Sequence, residues 1–532
     1  MTAGSRDACL LGVDVGSTNV KAAAFTPDGQ WVASAAAPMP VRHSRPGWSE
    51  YDPHELFAAT AGVVRRAVAA AGARRIVGVA VASMAETAIP VDATGEPLHA
   101  AVAWHDQRAR RQAEWWRSEV GAEAVYGITG LPVVPIFGAC KLMWFRERDP
   151  DAFGRMRAWL NVADYVAFRL CGVQATDLSL ASRLMLLDLR ARRWSDALTG
   201  AAAIDPRVLP GLVTSGERLG GVHRDGSAAT GLPVGVPVAA GGHDHPCGAL
   251  ALGMTEPGDV LDSMGTSEAL FAVTPEPTLT ASMAASGYQQ GVHVVADRTY
   301  ANGGLYTSGA CVDWLRGLVA VDEPDPYATL GRWAEAAPVG ARGVVFLPHL
   351  RWASPPIVDL DARGAFVGLT AASDRGDLAR ALFEGLAFEA QASLDGLVAQ
   401  AGLDVRRVRA IGGGSRHALL MRVKAALLGA PIAVAVHDEA TTLGAALLAG
   451  VGAGVYPDAA AAAASVPVAY REVPVDEAWR SAYLPRYRDV YLRLYDQLRD
   501  VHRAVAALEG RPPAGVAGDA PAPKGVSDAL RS

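Results

Sequence analysis

Cysteine is scarce: the 532-residue chain has five, Cys9, Cys140, Cys171, Cys247 and Cys311, widely spaced, odd in number and without a CxxC pair. That excludes a disulfide framework and a zinc knuckle and points to a reducing compartment. Lysine is scarcer still. Lys21, Lys141, Lys424 and Lys524 are preceded by Val, Cys, Val and Pro, so no GxxxxGK[ST] loop exists and the P-loop class is excluded. A dinucleotide fingerprint fails as well, because the first glycine turn, GVDVGS, spaces its glycines four apart. Excess positive charge is also missing: 49 Lys+Arg against 55 Asp+Glu leaves −6, with no basic field to hold a polyanion. Nucleic acid is therefore not an expected partner. The uncharged stretch 440–457 has membrane length, but with Gly444, Gly450, Gly452 and Gly454 it reads as a buried helix ending near Gly450. The first residues contain Asp7 and no apolar run of signal-peptide length, so the expectation is a cytoplasmic protein without a membrane partner.

What remains is half apolar and one-fifth charged, the composition of a folded globular chain. LLGVDVG and KAAAFTPDGQWVASAAA alternate β runs with turns, Asp28-Gly29 marking a hairpin. Residues 53–73 take helical spacing, with Leu56, Val63, Val64 and Ala67 on one side and a stop at Gly72. RIVGVAVAS follows as a buried strand, so the architecture is layered α/β. A second strand-rich passage begins at LPVGVPVAAGGHDH and PGDVLDSMGTSEALFAV. Its turn, like VDVGSTNVKAAAF, sets Gly and small hydroxyl residues between β runs, a faint internal duplication. A long helix around DLARALFEGLAFEAQASLDGLVAQ stops at Gly402. The Pro-, Gly- and Ala-rich residues 511–532 read as a disordered tail.

Three glycine turns carry hydroxyls and free backbone N–H groups, the makings of phosphate cradles: 14–21, Gly265-Thr266-Ser267 and Gly412-Gly413-Gly414-Ser415. Asp14, two residues before the first turn, suits a Mg2+ site, its plainer reading being a turn cap. Lys21 either neutralises phosphate or is solvated. Gly242-His243-Asp244-His245-Pro246 closes a buried strand. One reading is an H-x-H metal pair of a hydrolase. The other makes Asp244 a general base in a cleft between lobes, with both histidines shaping the pocket.

These motifs, with PGWSEYDP, ETAIPVDATGEPLHAAVAWHDQR, SMGTS, ARGAFVGLT and ATTLGAALLAG, resemble the FGGY carbohydrate kinases of the sugar kinase, Hsp70 and actin superfamily, from about residue 10 to 485. The resemblance implies a two-lobed α/β, actin-like (ribonuclease H-like) fold with the site in the cleft. It implies a first lobe over 1–250, a second over 251–485 and a C-terminal helix over 486–510. It implies ATP and Mg2+, with Asp14 at the metal and Gly16, Ser17, Thr18 and Lys21 forming the first phosphate hairpin. Gly265 and Thr266 would form the second, Gly309 and Asp313 would contact nucleotide, and Gly413, Gly414 and Ser415 would hold the adenosine. Asp244 is the implied catalytic base. Trp48, Ala85, Glu86, Trp104, Asp106, Asp244 and His245 would line the acceptor pocket. Ala85-Glu86 departs from the Arg-Glu of glycerol kinases and the Met-His of xylulokinases, and Ile136 replaces a glycerol-contacting Tyr. The expectation is a sugar kinase acting on a ketose such as a pentulose, with a polyol as alternative acceptor and a homodimer as the assembly. Of other classes, a non-catalytic actin-like ATP-binding protein and a hydrolase using His243 and His245 stay open.

Overall fold

The computed structural model describes residues 7–436 and 439–509; the tail expected over 511–532 lies outside the described residues. Two mixed sheets build two lobes. In the first, six strands run in the order Arg218–Gly221, Pro237–His243, Arg75–Ser83, Ala8–Val15, Asn19–Phe25, Trp31–Pro38. Ala8–Val15, Asn19–Phe25 and Trp31–Pro38 form an antiparallel meander, whereas Ala8–Val15, Arg75–Ser83 and Pro237–His243 run parallel. The second sheet, of seven strands, repeats this plan. Asp259–Met264, Glu268–Thr274 and Thr299–Leu305 form the meander, and Asp259–Met264, Arg407–Ile411 and Ile432–Ala435 run parallel. The two hydroxyl-bearing turns of the sequence are therefore equivalent hairpins of a repeated five-strand unit.

Local chemistry sets the elements that carry this plan. Between the second and third strands Thr26 N donates to Gln30 O at 2.9 Å, and Gly29 takes φ +81°. Helix Pro53–Ala70 starts where Asp52 accepts from His54 and Glu55 N–H groups, with Pro53 in the first turn. Helix Arg375–Ala401 opens on a capping box of Asp374 and Asp377 and ends at Gly402, φ +63°. The C-terminal helix starts before its expected bound: Glu477–Pro485, a π-type stretch at Arg486–Tyr491 and Leu492–Leu508 follow one another without a break.

The parallel strands are apolar on both faces because both faces are covered. One face of the first sheet packs on Leu56, Val63, Val64 and Ala67 of helix Pro53–Ala70. The other packs on a helix of the second half of the chain, Ala440–Gly452. There Leu10, Ala80, Ala82 and Ala239 meet Ala445, Ala446, Leu448 and Ala449. The small side chains of 440–452 allow this close crossing: a Cβ at Gly444 would run into the Cys247 carbonyl, and one at Gly12 into that of Thr442. The stretch is thus a buried helix between the lobes, and no helix among the described residues is long and apolar enough to cross a membrane.

Candidate active site

The three parallel strands of the first lobe end in one row, since Val15 and His243 both pair with Ser83. The residues beside that row, Asp14, Glu86 and Asp244, converge on one crevice at the carboxyl ends of the strands, where open α/β sheets bind ligands.

Asp244 opens helix Asp244–Ala251 and keeps 27% of its side chain exposed. Its Oδ1 accepts the His245 N–H at 2.7 Å and lies 3.1 Å from His243 Nε2 and 3.2 Å from His245 Nδ1. Burial alone would raise its pKa, but His245 and then His243 outweigh burial and hold the carboxyl well below the ordinary range. The same contact raises the pKa of His245 against the effect of its own burial. His243 is pinned from behind, its N–H donating to Ser179 Oγ at 2.9 Å. Both histidines are therefore spent on Asp244.

Asp14 is in the opposite condition. Its Oδ1 is buried without a partner, and burial, with Asp244 adding to it, pushes the carboxyl up to about 8 against the pull of Lys21. An orphaned carboxylate oxygen facing a second carboxylate is a place a divalent cation fits, with Asp14 and Asp244 as its residues. Ser17 and Thr18 form the adjoining turn, Thr18 exposed. Lys21 is engaged with Glu439 at 3.0 Å, so in this state it is paired across the lobes rather than open to phosphate.

Behind the crevice, Glu86 sits at φ +58°, a left-handed conformation rarely held by a residue with a side chain. Lys141 holds it there. Its buried ammonium donates to the carbonyls of Glu86 at 2.6 Å, Ala103 at 2.8 Å, Val102 at 3.4 Å and Trp104 at 3.5 Å. Burial pushes this ammonium down to about 7, Glu86 and Asp106 opposing. The Glu86 carboxylate accepts Arg183 Nε–H at 2.6 Å, and Arg183 also donates to Gln289 Oε1 of the second lobe at 2.7 Å. Trp104, 41% exposed, stands edge-on to His105 at this wall.

Three expected acceptor residues are engaged elsewhere in this structure. Asp106 is fully buried and takes up its oxygens with Arg108 and the Ser49 N–H, so it braces the wall from behind. Trp48 lies under the Arg108 guanidinium at 3.8 Å and edge-on to Trp144, a packing role. Ala85 is 2% exposed and belongs to the core.

In the second lobe the hairpin Gly265-Thr266-Ser267 is tied to the start of helix Gly309–Val319. Ser308 and Ala310 N–H groups donate to Thr266 O at 3.0 and 3.1 Å, and Gly309 N–H to Gly265 O at 3.0 Å. A Cβ at Gly309 would lie 2.6 Å from that carbonyl, which requires glycine there. The Gly413–Arg416 turn follows strand Arg407–Ile411 at the same end; Gly413 is exposed, whereas the buried Ser415 hydroxyl donates back to Gly412 O at 2.7 Å. Ser415 thus shapes the turn. Asp313 is exposed one turn along its helix, engaged with Arg316 and the Tyr327 hydroxyl. Beneath the hairpin, Lys424 bridges Asp262 Oδ2 at 2.6 Å and Glu268 Oε1 at 2.7 Å, all three side chains buried.

Arg183, Lys141, Glu439 and Lys424 did not emerge from the motifs. Lys141, Lys424 and Arg183 did leave a trace, each being a cation inside an apolar run: GACKLMWF, MRVKAALL and ASRLMLL.

Comparison with known proteins identifies the family. The chain matches the FGGY family of carbohydrate kinases, N-terminal domain, over residues 9–251 and the C-terminal domain over 261–453. It is 33% identical to a glycerol kinase of Gloeobacter violaceus over 86% of this chain and 91% of that one. It is 29% identical to a xylulose kinase of Escherichia coli over 92% and 99%. The crystal structure of a xylulose kinase from Rhodospirillum rubrum superposes with TM-score 0.85 at 28% identity, covering 93% of this chain and 99% of that one. Two equivalent lobes, a crevice of strand-end carboxylates and a match spanning both halves lead to one conclusion: the chain belongs to the FGGY family of carbohydrate kinases, actin-like two-lobed phosphotransferases acting on hydroxyl groups.

Proposed function

We propose that this kinase transfers the γ-phosphoryl group of ATP to a hydroxyl of a ketose, a pentulose such as xylulose, with Asp244 as the base. The first lobe, over 1–250, takes the acceptor and the second, over 251–485, the nucleotide. The observation that carries the reading is the state of Asp244: partly exposed, ionised, and oriented by His243 and His245. In a loose phosphoryl transition state the attacking hydroxyl acidifies late, so a carboxylate of low pKa is base enough. Asp244 takes the hydroxyl proton as the new O–P bond forms, and the half-exposed His245 beside it leads that proton to solvent.

Asp14 and Asp244 are the residues that would hold Mg2+, which when bound neutralises charge on the transferred phosphoryl group. The hairpins at Gly16-Ser17-Thr18 and Gly265-Thr266 offer N–H and hydroxyl groups to the phosphates from opposite lobes. Gly413 and Gly414 leave the backbone open for the adenosine. Closure of the lobes excludes water, and release of Lys21 from Glu439 frees a cation for the nucleotide. The pentulose assignment is supported by the xylulose kinases among the relatives. A polyol acceptor is supported by the glycerol kinase at 33% identity and by Glu86, which the sequence keeps from the glycerol-type pair.

The test is ADP release with pentuloses, hexuloses and polyols, alongside calorimetric ADP binding. Asp244→Asn is expected to cut turnover at least a hundredfold while nucleotide affinity stays within about threefold. An equal loss of both would remove Asp244 from the base role.

A further inference from the structure

We propose that the Glu86–Arg183 pair selects acceptors by charge, Glu86 cancelling a guanidinium that would otherwise recruit a carboxylate, so that the pocket takes uncharged polyhydroxy compounds and turns away sugar acids. This rests on the kinase reading above and specifies its acceptor class.

The pair is built with care. Arg183 Nε–H reaches Glu86 Oε1 at 2.6 Å, and the two side chains are 7% and 8% exposed. The guanidinium also donates to Gln289 Oε1 at 2.7 Å and lies 5.2 Å from the Phe137 ring. It thereby links Glu86 in the first lobe to strand Gln289–Val292 of the second. Glu86 holds its place only through a left-handed backbone that Lys141 secures, and a strained position sustained by a dedicated buried cation is the mark of a working residue. The pair also lies beside the crevice: Glu86 follows strand Arg75–Ser83, whose last residue pairs with both Val15 and His243, the neighbour of Asp244.

The charge balance decides what can bind. Arg183 is always protonated and presents the fork that carboxylates favour. Paired with Glu86 it contributes no net charge to the acceptor wall. Lys141 adds no free donor, its ammonium being enclosed by four carbonyls. Asp14 and Asp244 at the neighbouring strand ends are both carboxyls, and the two histidines are spent on Asp244. An acceptor carboxylate would therefore enter a site whose cations are already matched, whereas hydroxyls can share the Glu86 carboxylate and the edge of Trp104.

The experiment pairs acceptors of equal chain length that differ only in a terminal carboxylate: glycerol with glycerate, xylitol with xylonate, glucitol with gluconate. Each is measured by ADP release and by calorimetric binding, for wild type, Glu86→Gln and Glu86→Gln/Arg183→Gln. The neutral member should win in wild type by at least a hundredfold in kcat/KM, or in affinity where turnover is absent. Glu86→Gln should move the acid-to-neutral ratio at least tenfold toward the acid, and the double variant should lose that gain. Wild-type preference for the acid of any pair, or a folded Glu86→Gln with an unmoved ratio, would overturn the proposal. Should Glu86→Gln fail to fold, the wild-type ratio decides alone. Absence of ADP release with every acceptor would instead sink the kinase reading, while calorimetry would still report the charge preference.

Discussion

Replacing Lys424 by Met tests whether the Gly265-Thr266-Ser267 hairpin stands on a buried ion cluster. Lys424 supplies the contact made by Asp262 Oδ2, at 2.6 Å, and Asp262 Oδ1 has no partner at all. Without the ammonium, Asp262 must be buried uncharged. Holding an aspartyl group protonated at pH 7, against a reference pKa near 3.9, costs about 1.4 kcal/mol per unit, or about 4 kcal/mol in all. That agrees with the roughly 3–5 kcal/mol seen when a buried pair loses one partner. At pH 5 the same sum gives about 1.5 kcal/mol, so the deficit shrinks on acidification. Glu268 follows its own course. Burial and then Asp262 raise its pKa to about 7, against Lys424. A carboxyl whose folded pKa lies above its unfolded value contributes stability that is complete below about pH 4.5 and lost as pH rises through about 7. The Glu268 contribution to wild-type stability should therefore grow on going from pH 8 to 5. Urea unfolding of wild type and Lys424→Met at pH 7 and pH 5 measures both effects. A loss below about 1 kcal/mol at pH 7, or a deficit that grows at pH 5, would refute the reasoning.

Gly444→Ala should lower Tm by about 2–6 °C despite alanine's better helix propensity, because its methyl meets the Cys247 carbonyl and overpacking costs about 1–3 kcal/mol; an unchanged melting curve would mean the helix is not seated so closely. Lys141→Met leaves four carbonyls without their donor and frees the Glu86 turn. Its acceptor KM should rise at least tenfold with ATP KM within about twofold, and separate saturation curves for the two substrates decide whether the loss is confined to the acceptor side.

The legible parts of this chain were those that chemistry writes locally. Asp28-Gly29, the helix start at Pro53 and the Gly402 stop are set by a few neighbouring residues, and each stood where it was read. That Asp14 and Asp244 stand at strand ends facing one crevice was legible for a related reason: a charged residue at the end of an apolar strand has few plain explanations. What the sequence hid was pairing at a distance. Asp106, read as an acceptor contact, is consumed by Arg108 and Ser49. Trp48 is consumed by the same arginine. Lys21 meets Glu439 from 418 residues away.

Burial explains this division between what was read and what was hidden. A polar group placed inside the fold must find a partner, and the partner is set by topology rather than by spacing along the chain. An exposed-looking motif therefore loses residues to its own scaffold, while the scaffold draws on cations that no motif contains. The rarity of lysine makes the point in reverse. With so few in the chain, one enclosed by the carbonyls behind Glu86 and another bridging the carboxylates beneath the Gly265 hairpin are disproportionately structural. Each sits under one side of the proposed site. A lysine inside an apolar helical run was thus the signal from which the supports of the Glu86 turn and the Gly265 hairpin could have been found.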